Sequence, residues 1–153
     1  MRARIFNTFS AQETQKLAGD ILAGLIKDSP KDKALVLALM GDLGSGKTTF
    51  TQGIAKALGI LGRVASPTFV LMHRFKNQKS KIEQSNYNFL IHIDAYRLSK
   101  PEEILELGFQ EIISDPKNIV VIEWPEKIKN FLPKQTHFLK FKFINETQRE
   151  IKA

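Results

Sequence analysis

The stretch that decides the fold is ALVLALM (residues 34–40), followed directly by GDLGSGKTTF (41–50). The first part is a continuous apolar run of strand length, as expected of a strand that is buried on both faces of a sheet. The second part is rich in glycine and leads into KTTFTQGIAKALGI (47–60), whose apolar residues recur at helical spacing. The sequence therefore predicts a buried strand, a glycine-rich turn and a helix in direct succession.

The turn has the spacing of a Walker A motif, G-x-x-x-x-G-K-[ST], over residues 41–48. Glycines let such a loop wrap so that successive backbone N–H groups point at phosphate oxygens, and the following helix adds its positive N-terminal end. Lys47 is expected to reach the β- and γ-phosphates, and the Thr48 hydroxyl to ligate Mg²⁺. The predicted phosphate-binding residues are Asp42, Leu43, Gly44, Ser45, Gly46, Lys47, Thr48 and Thr49.

Strands and helices alternate along the rest of the chain. Ser10 precedes an amphipathic helical pattern, and Glu13 completes a capping box with it. The other predicted elements are strands at 4–9, 64–75, 88–96, 118–124 and 136–144, a helix at 100–113, and a polar loop at 76–88. Neither repeats nor a linker interrupt this order, so the pattern predicts a single α/β domain over residues 1–153.

Composition and charge exclude several classes of protein. The chain has 153 residues and no cysteine, which excludes a disulfide partner and thiolate chemistry. It has no apolar run long enough to span a membrane and no signal-peptide core, so we expect a cytoplasmic protein without a membrane partner. The net charge of +7 favours anionic partners, but the lysines are scattered among glutamates and form no dense basic block.

Two acids follow apolar strands of the predicted sheet. Glu123 ends NIVVIE and Asp94 ends FLIHID. A P-loop hydrolase needs an acid near its Mg²⁺ and a group that orients the attacking water. Either residue could serve the metal, and the residues alone do not divide the two roles between them.

The sequence context of four other side chains indicates their roles less specifically. Thr68, in the stretch SPTF, fits either a switch that senses the γ-phosphate or a simple turn. Trp124, the only tryptophan, fits either the border of the site or packing. We interpret His92 as structural. Arg97 fits either a contact that steadies a phosphate or, as we favour, a pair with a nearby carboxylate.

The order of four short motifs resembles one family. GDLGSGKTT (41–49), SPTF (66–69), HIDAYRL (92–98) and IEWPE (122–126) occur in that order, with a helical segment at 101–112 between the last two. Together they resemble the TsaE family, the small ATPases of bacterial tRNA threonylcarbamoyladenosine biosynthesis. The resemblance runs from about the first helix to the final strands.

The resemblance implies a P-loop α/β three-layer sandwich with a central, largely parallel sheet flanked by helices. It implies that Thr48 and Glu123 hold Mg²⁺ and that Asp94 is the catalytic aspartate at a strand end, acting with Lys47. It also implies that Thr68 is a switch-like threonine.

The resemblance further implies that Trp124 lies beside the site. It also implies that the nucleotide base lies between the start of the first helix, at Ser10 and Ala11, and the C-terminal hairpin, at Gln148 and Arg149. The implied activity is Mg²⁺-dependent ATP hydrolysis, slow alone and stimulated by the TsaD–TsaB transferase pair. Contact with tRNA would be indirect or weak.

Three rival functions are weighed against this one. A GTPase is expected to carry N-K-x-D and D-x-x-G motifs, and the acids here continue instead as DAYR and EWPE. A small-molecule kinase is expected to carry an arginine-rich lid, and the arginines here do not cluster. A nucleotide-gated binding module stays open, because a switch and a hydrolase use the same residues.

Overall fold

Seven strands and four α-helices form the regular structure of the residues that the computed structural model describes, 3–65, 70–78, 82 and 85–153. The strands are β1 (Ile5–Thr8), β2 (Leu35–Met40), β3 (Met72–Lys76), β4 (Phe89–Asp94), β5 (Asn118–Glu123), β6 (His137–Phe143) and β7 (Arg149–Lys152). The α-helices are α1 (Ala11–Asp28), α2 (Lys47–Ala57), α3 (Glu103–Glu106) and α4 (Phe109–Ser114), and 3-10 turns cover Ala95–Arg97 and Pro125–Phe131.

The strands form one sheet in the order β1-β7-β6-β2-β5-β4-β3. The four central strands, β6, β2, β5 and β4, are parallel, and the strands outside them pair antiparallel. The largely parallel sheet expected from the resemblance is therefore confirmed. Since β2, β5 and β4 are parallel neighbours, their carboxyl ends lie at one edge of the sheet, where ligands of open α/β sheets bind.

Side chains of the central strands alternate between two apolar cores. On β2, Leu35, Leu37 and Leu39 pack into the core under α1 and α2, whereas Val36 packs into the core on the opposite face. That second core is closed by α3, α4 and the 3-10 turn at Pro125–Phe131. The predicted three-layer arrangement of helices on both faces is confirmed.

The start of α1 matches its predicted cap closely. Ser10 has extended backbone angles, and its hydroxyl accepts a hydrogen bond from the Glu13 N–H at 3.1 Å. The Glu13 carboxylate accepts in return from the N–H of Phe9 at 2.8 Å, one residue before the cap. This exchange fixes the direction in which the chain enters the helix.

The predicted helix at 100–113 is instead two short helices, so the prediction of one continuous helix is wrong. Gly108 has φ +72°, a left-handed conformation that interrupts the helical ladder, and it separates α3 from α4. The break lets both pieces turn an apolar residue, Ile104 and Phe109, into the same core. The strand predicted at 64–75 is described only as β3, and residues 66–69 lie outside the described ranges.

None of the helices in the described ranges combines the length and the apolar character needed to cross a bilayer.

The close approach of α1 to α2 depends on Gly53, and its replacement by alanine is expected to lower the free energy of unfolding by about 1–3 kcal/mol. A Cβ there would lie 2.6 Å from the Cα of Gln15 and 2.8 Å from the Cβ of Ala18, and would also press on the Gln15 carbonyl. Gly24 in α1 is the matched control, because no atom lies within 4 Å of its added Cβ. Gly24→Ala should stabilise by about 0.5–1 kcal/mol through helix propensity.

Urea unfolding of both variants checks this expectation. If Gly53→Ala were as stable as Gly24→Ala, the two helices would not pack as closely as they do here.

Candidate functional site

The loop between β2 and α2 turns sharply at two glycines. Gly41 has φ +147° and Gly46 has φ +102°, conformations that other residues rarely adopt. A Cβ on Gly41 would lie 2.6 Å from the carbonyl oxygen of Phe141 and 2.8 Å from the Ser45 hydroxyl. The loop can therefore wrap against β6 only with glycine at this position.

The loop supplies polar groups that suit an anion. Gly46, at the N-cap of α2, provides no side-chain cap to the first turn of the helix. The Ser45 hydroxyl is buried and has no hydrogen-bond partner among the described residues. Buried polar groups are normally satisfied, so an unsatisfied hydroxyl beside a helix N-terminus fits a loop that receives phosphate oxygens.

Lys47, the first residue of α2, folds back along the loop. Its Nζ donates hydrogen bonds to the carbonyl oxygens of Gly41 and, at 2.9 Å, of Asp42. Burial lowers the pKa of Lys47, whereas the carboxylates of Glu123 and Asp94 act in the opposite direction. The ammonium group is thus held at the base of the loop, facing the acids at the strand ends.

The carboxylate of Glu123 joins the P-loop helix to the sheet. Its Oε1 accepts a hydrogen bond from the Thr48 hydroxyl at 3.2 Å and lies 2.9 Å from Nε2 of His92. Glu123 is 4% exposed and His92 is fully buried. His92 was interpreted from the sequence as structural. Its position two residues before Asp94 in HIDAY places both residues on the same face of the strand.

Asp94 lies beside Glu123, since the two residues are Cα partners in the β4–β5 ladder. Its Oδ1 accepts a hydrogen bond from the N–H of Tyr96 at 3.0 Å and so caps the following 3-10 turn. Hydroxyl and carboxylate oxygens are the ligands that Mg²⁺ prefers, and Mg²⁺ is usually held by one or two of them together with substrate phosphates. Thr48, Glu123 and Asp94 therefore fit a magnesium site.

Trp124 follows Glu123 in a left-handed conformation, with φ +56°, which no other non-glycine residue of the described ranges has. Its ring centroid is 4.8 Å from Nζ of Lys47 and 5.0 Å from the centroid of the Tyr96 ring. Such backbone strain, of order 1–3 kcal/mol, clusters at functional sites. The indole closes one side of the lysine.

These groups face a cavity of about 790 Å³, a size typical of sites for small molecules and cofactors. Its wall includes the predicted site residues Ala11, Leu43, Gly44, Ser45, Gly46, Lys47, Thr48, Thr49, Asp94, Glu123, Trp124 and Arg149. It also includes Ser10, expected beside the base, and Arg97, considered for a phosphate contact, together with residues for which the sequence predicted no binding role, namely Phe9, Thr14, Tyr96, Glu146 and Thr147.

Two predicted residues lie outside the cavity wall, and a third lies outside the described ranges. Asp42 contributes its carbonyl oxygen to Lys47 and is not part of the cavity wall. Gln148 lies outside the wall as well, with its amide 3.4 Å from the side-chain oxygen of Asn7. Thr68 lies outside the described residues.

The C-terminal hairpin reaches the P-loop through Arg149. Its Nε donates to the Gly44 carbonyl at 3.2 Å, and its guanidinium carbon lies 4.5 Å from the ring centroid of Phe143. Phe9 also lines the cavity and is 56% exposed; it follows Thr8, the ladder partner of Arg149. The position of Phe9 just before the helix cap was the one sequence signal that could have placed it at the site. No sequence pattern indicated that the C-terminal hairpin would approach the P-loop.

Comparisons with known proteins identify the family of the chain. The family model described as "Threonylcarbamoyl adenosine biosynthesis protein TsaE" matches residues 8–151. A Rickettsia felis protein, "tRNA threonylcarbamoyladenosine biosynthesis protein TsaE", is 39% identical over 139 residues, which cover 90% of this chain and 72% of the relative. The Treponema pallidum protein of the same name is 32% identical over 142 residues, 93% of each chain.

A solved structure has the same fold. The crystal structure of Bacillus subtilis YdiB aligns with a TM-score of 0.71 and 28% sequence identity. The alignment covers 99% of this chain and 84% of YdiB.

Proposed function

The chain belongs to the TsaE family and takes part in tRNA threonylcarbamoyladenosine biosynthesis; from this premise we propose that it is a Mg²⁺-dependent ATPase of the cytoplasm that supports the modification. The observation that carries the proposal is that Lys47 and Thr48 of the P-loop line one cavity together with two strand-end acids, Glu123 and Asp94. We further propose that the ATPase works in a complex with the TsaD–TsaB transferase pair and meets tRNA indirectly or weakly.

Nucleotide binding is assigned to the P-loop, the start of α1 and the C-terminal hairpin. Backbone N–H groups of residues 43–48 and the ammonium of Lys47 would bind the phosphates. The base would lie between Ala11 at the start of α1 and Arg149 on the hairpin, both of which are on the cavity wall; Gln148, the residue before Arg149, is outside it. An arginine and nearby aromatic rings suit a purine, which offers two flat faces.

The metal is assigned to Thr48 and Glu123. The Thr48 hydroxyl donates a hydrogen bond to the Glu123 carboxylate, which leaves the lone pairs of the hydroxyl oxygen for a cation. Bound Mg²⁺ would supply positive charge beside the β- and γ-phosphate oxygens.

Hydrolysis is assigned to Asp94, either directly or through a water that it orients. The carboxylate would accept the proton of the water that attacks the γ-phosphorus, and Lys47 would stabilise negative charge on the phosphate oxygens. Thr68 would report whether the γ-phosphate remains. In this scheme ATP hydrolysis by the chain changes the state of a partner protein. The chain itself does not carry the threonylcarbamoyl group that is transferred to tRNA.

The decisive experiment is to measure phosphate release from ATP by the purified chain, with and without the TsaD–TsaB pair. We expect slow turnover that rises when the pair is added, and no such rise with Lys47→Ala. ATP binding without turnover under both conditions would favour a nucleotide-gated binding module. A clear preference for GTP would return the chain to the GTPase reading.

The position of Trp124 on the cavity wall gives an optical test of the nucleotide site. Because it is the only tryptophan, its emission reports on this one position. We expect Mg·ADP to change the emission in a saturable titration. Lys47 Nζ lies 4.8 Å from the centroid of the indole ring, so phosphates that bind Lys47 would change the charge and polarity around the ring. Calorimetric binding of Mg·ADP with flat emission would place the nucleotide away from Trp124.

A further inference from the structure

His92 is buried at a position where an apolar residue would be expected. It lies on β4 between Ile91 and Ile93, is 0% exposed, and stands beside Val121 in the β4–β5 ladder. Its neighbours along the same face of the strand are Leu90, which packs into the core under α1 and α2, and Asp94 at the cavity. An imidazole here loses its contact with water, which is costly unless a partner compensates.

Glu123 is the partner that the described residues provide. Nε2 of His92 lies 2.9 Å from Glu123 Oε1, while Nδ1 is buried without a hydrogen-bond partner in the described part of the chain. An ionised carboxylate only accepts hydrogen bonds, so with Glu123 as the acceptor the ring carries an N–H at Nε2 and donates a hydrogen bond to Oε1. The one hydrogen bond that this buried ring makes within the described residues is therefore to Oε1 of Glu123.

That same oxygen accepts the hydrogen bond of Thr48. Both described hydrogen bonds to the Glu123 side chain end on Oε1, one from β4 and one from α2. Two donors from different elements fix the rotation of the carboxylate about its own bond, which a single donor does not. The donor from β4 belongs to the rigid sheet, whereas Thr48 is the residue that would also have to bind the cation.

We propose that His92 is a positioning residue that orients the Glu123 carboxylate for Mg²⁺. The inference rests on the proposed function, in which Glu123 and Thr48 hold the metal. Groups that orient metal ligands through hydrogen bonds typically change metal affinity about 10–100-fold when they are removed. His92 touches neither nucleotide nor metal and acts through Glu123.

Three substitutions separate orientation from packing. His92→Leu fills the volume and removes the donor. His92→Gln keeps an N–H donor at about the distance of Nε2, whereas the shorter side chain of His92→Asn does not reach it. Val121→Ala is the matched control, because Val121 is the ladder partner of His92 and belongs to the core under α1 and α2.

The readout is ADP affinity by calorimetry, with Mg²⁺ and with a chelator. We expect His92→Leu and His92→Asn to reduce the gain in affinity that Mg²⁺ provides by about tenfold or more, and to leave metal-free affinity within about twofold. His92→Gln should recover most of the gain, and Val121→Ala should keep all of it. Circular dichroism establishes that each variant is folded, and the Gln–Asn pair carries the comparison if His92→Leu does not fold.

The outcomes are distinguishable. If Glu123→Gln loses the Mg²⁺ gain while His92→Leu and His92→Asn keep it, the proposed metal site stands and the role of His92 is wrong. A His92→Gln variant as impaired as His92→Asn also contradicts positioning by the Nε2 donor. If the wild-type chain shows no gain with Mg²⁺, the metal assignment of Glu123 is overturned and the inference falls with it.

Discussion

Replacing Lys47 by alanine is expected to weaken ATP binding by about thirtyfold or more, because a charge-assisted contact to phosphate contributes on the order of 2 kcal/mol. The ammonium group is already held at the base of the loop by the carbonyl oxygens of Gly41 and Asp42. The Lys47 side chain therefore loses little further conformational entropy when it binds phosphate. Most of the favourable charge interaction should then contribute to the free energy of ATP binding.

The matched control is Lys56→Ala. Lys56 lies in the last turn of the same helix, is exposed, and is remote from the loop. Calorimetry with ATP and Mg²⁺ should show wild-type affinity for this variant and a large loss for Lys47→Ala, with both variants folded by circular dichroism. Equal affinity of the two variants would mean that the loop does not bind phosphate through Lys47.

The P-loop could be predicted from the sequence because its chemistry is local. Glycines at 41 and 46 are required by the backbone conformations of a loop only a few residues long, and the flanking strand and helix follow from their own apolar patterns. The capping box at Ser10 is local in the same way. Features determined within a few residues are legible without the fold.

The acids could be placed at strand ends, but their arrangement could not. That Asp94 and Glu123 are ladder partners depends on the strand order, which brings β4 beside β5 and β5 beside β2. The burial of His92 against Glu123 depends on the same order. A strand pattern shows which face a residue occupies but does not show which strand lies next to it.

The predicted helix at 100–113 was wrong for a different reason. Its apolar spacing is helical, but the packing of Ile104 and Phe109 into one core requires a break, which Gly108 permits. The hairpin residue Arg149 reaches the Gly44 carbonyl across a distance of 105 residues in sequence. Tertiary contacts of this length leave no periodic signal, so Gln148 and Arg149 could not be told apart beforehand.

Replacing Asp94 by asparagine should lower ATP hydrolysis in the presence of the transferase pair by about 100-fold or more, the usual range for a lost general base. The amide cannot take a proton from the attacking water. It does keep an Oδ1 that can accept the hydrogen bond from the Tyr96 N–H, so the 3-10 turn should keep its cap. We therefore expect ATP affinity to stay within about threefold of the wild-type value.

Glu123→Gln is the variant to compare with Asp94→Asn. If Glu123 serves the metal and Asp94 the water, the Glu123 variant should lose Mg²⁺-dependent affinity, and the Asp94 variant should lose turnover alone. Parallel measurements of ATP binding and phosphate release over a range of Mg²⁺ concentrations separate the two. Should Asp94→Asn raise the Mg²⁺ requirement and Glu123→Gln leave it unchanged, the two carboxylates exchange roles. The geometry allows either assignment, because Asp94 and Glu123 are ladder partners at the carboxyl ends of two adjacent parallel strands.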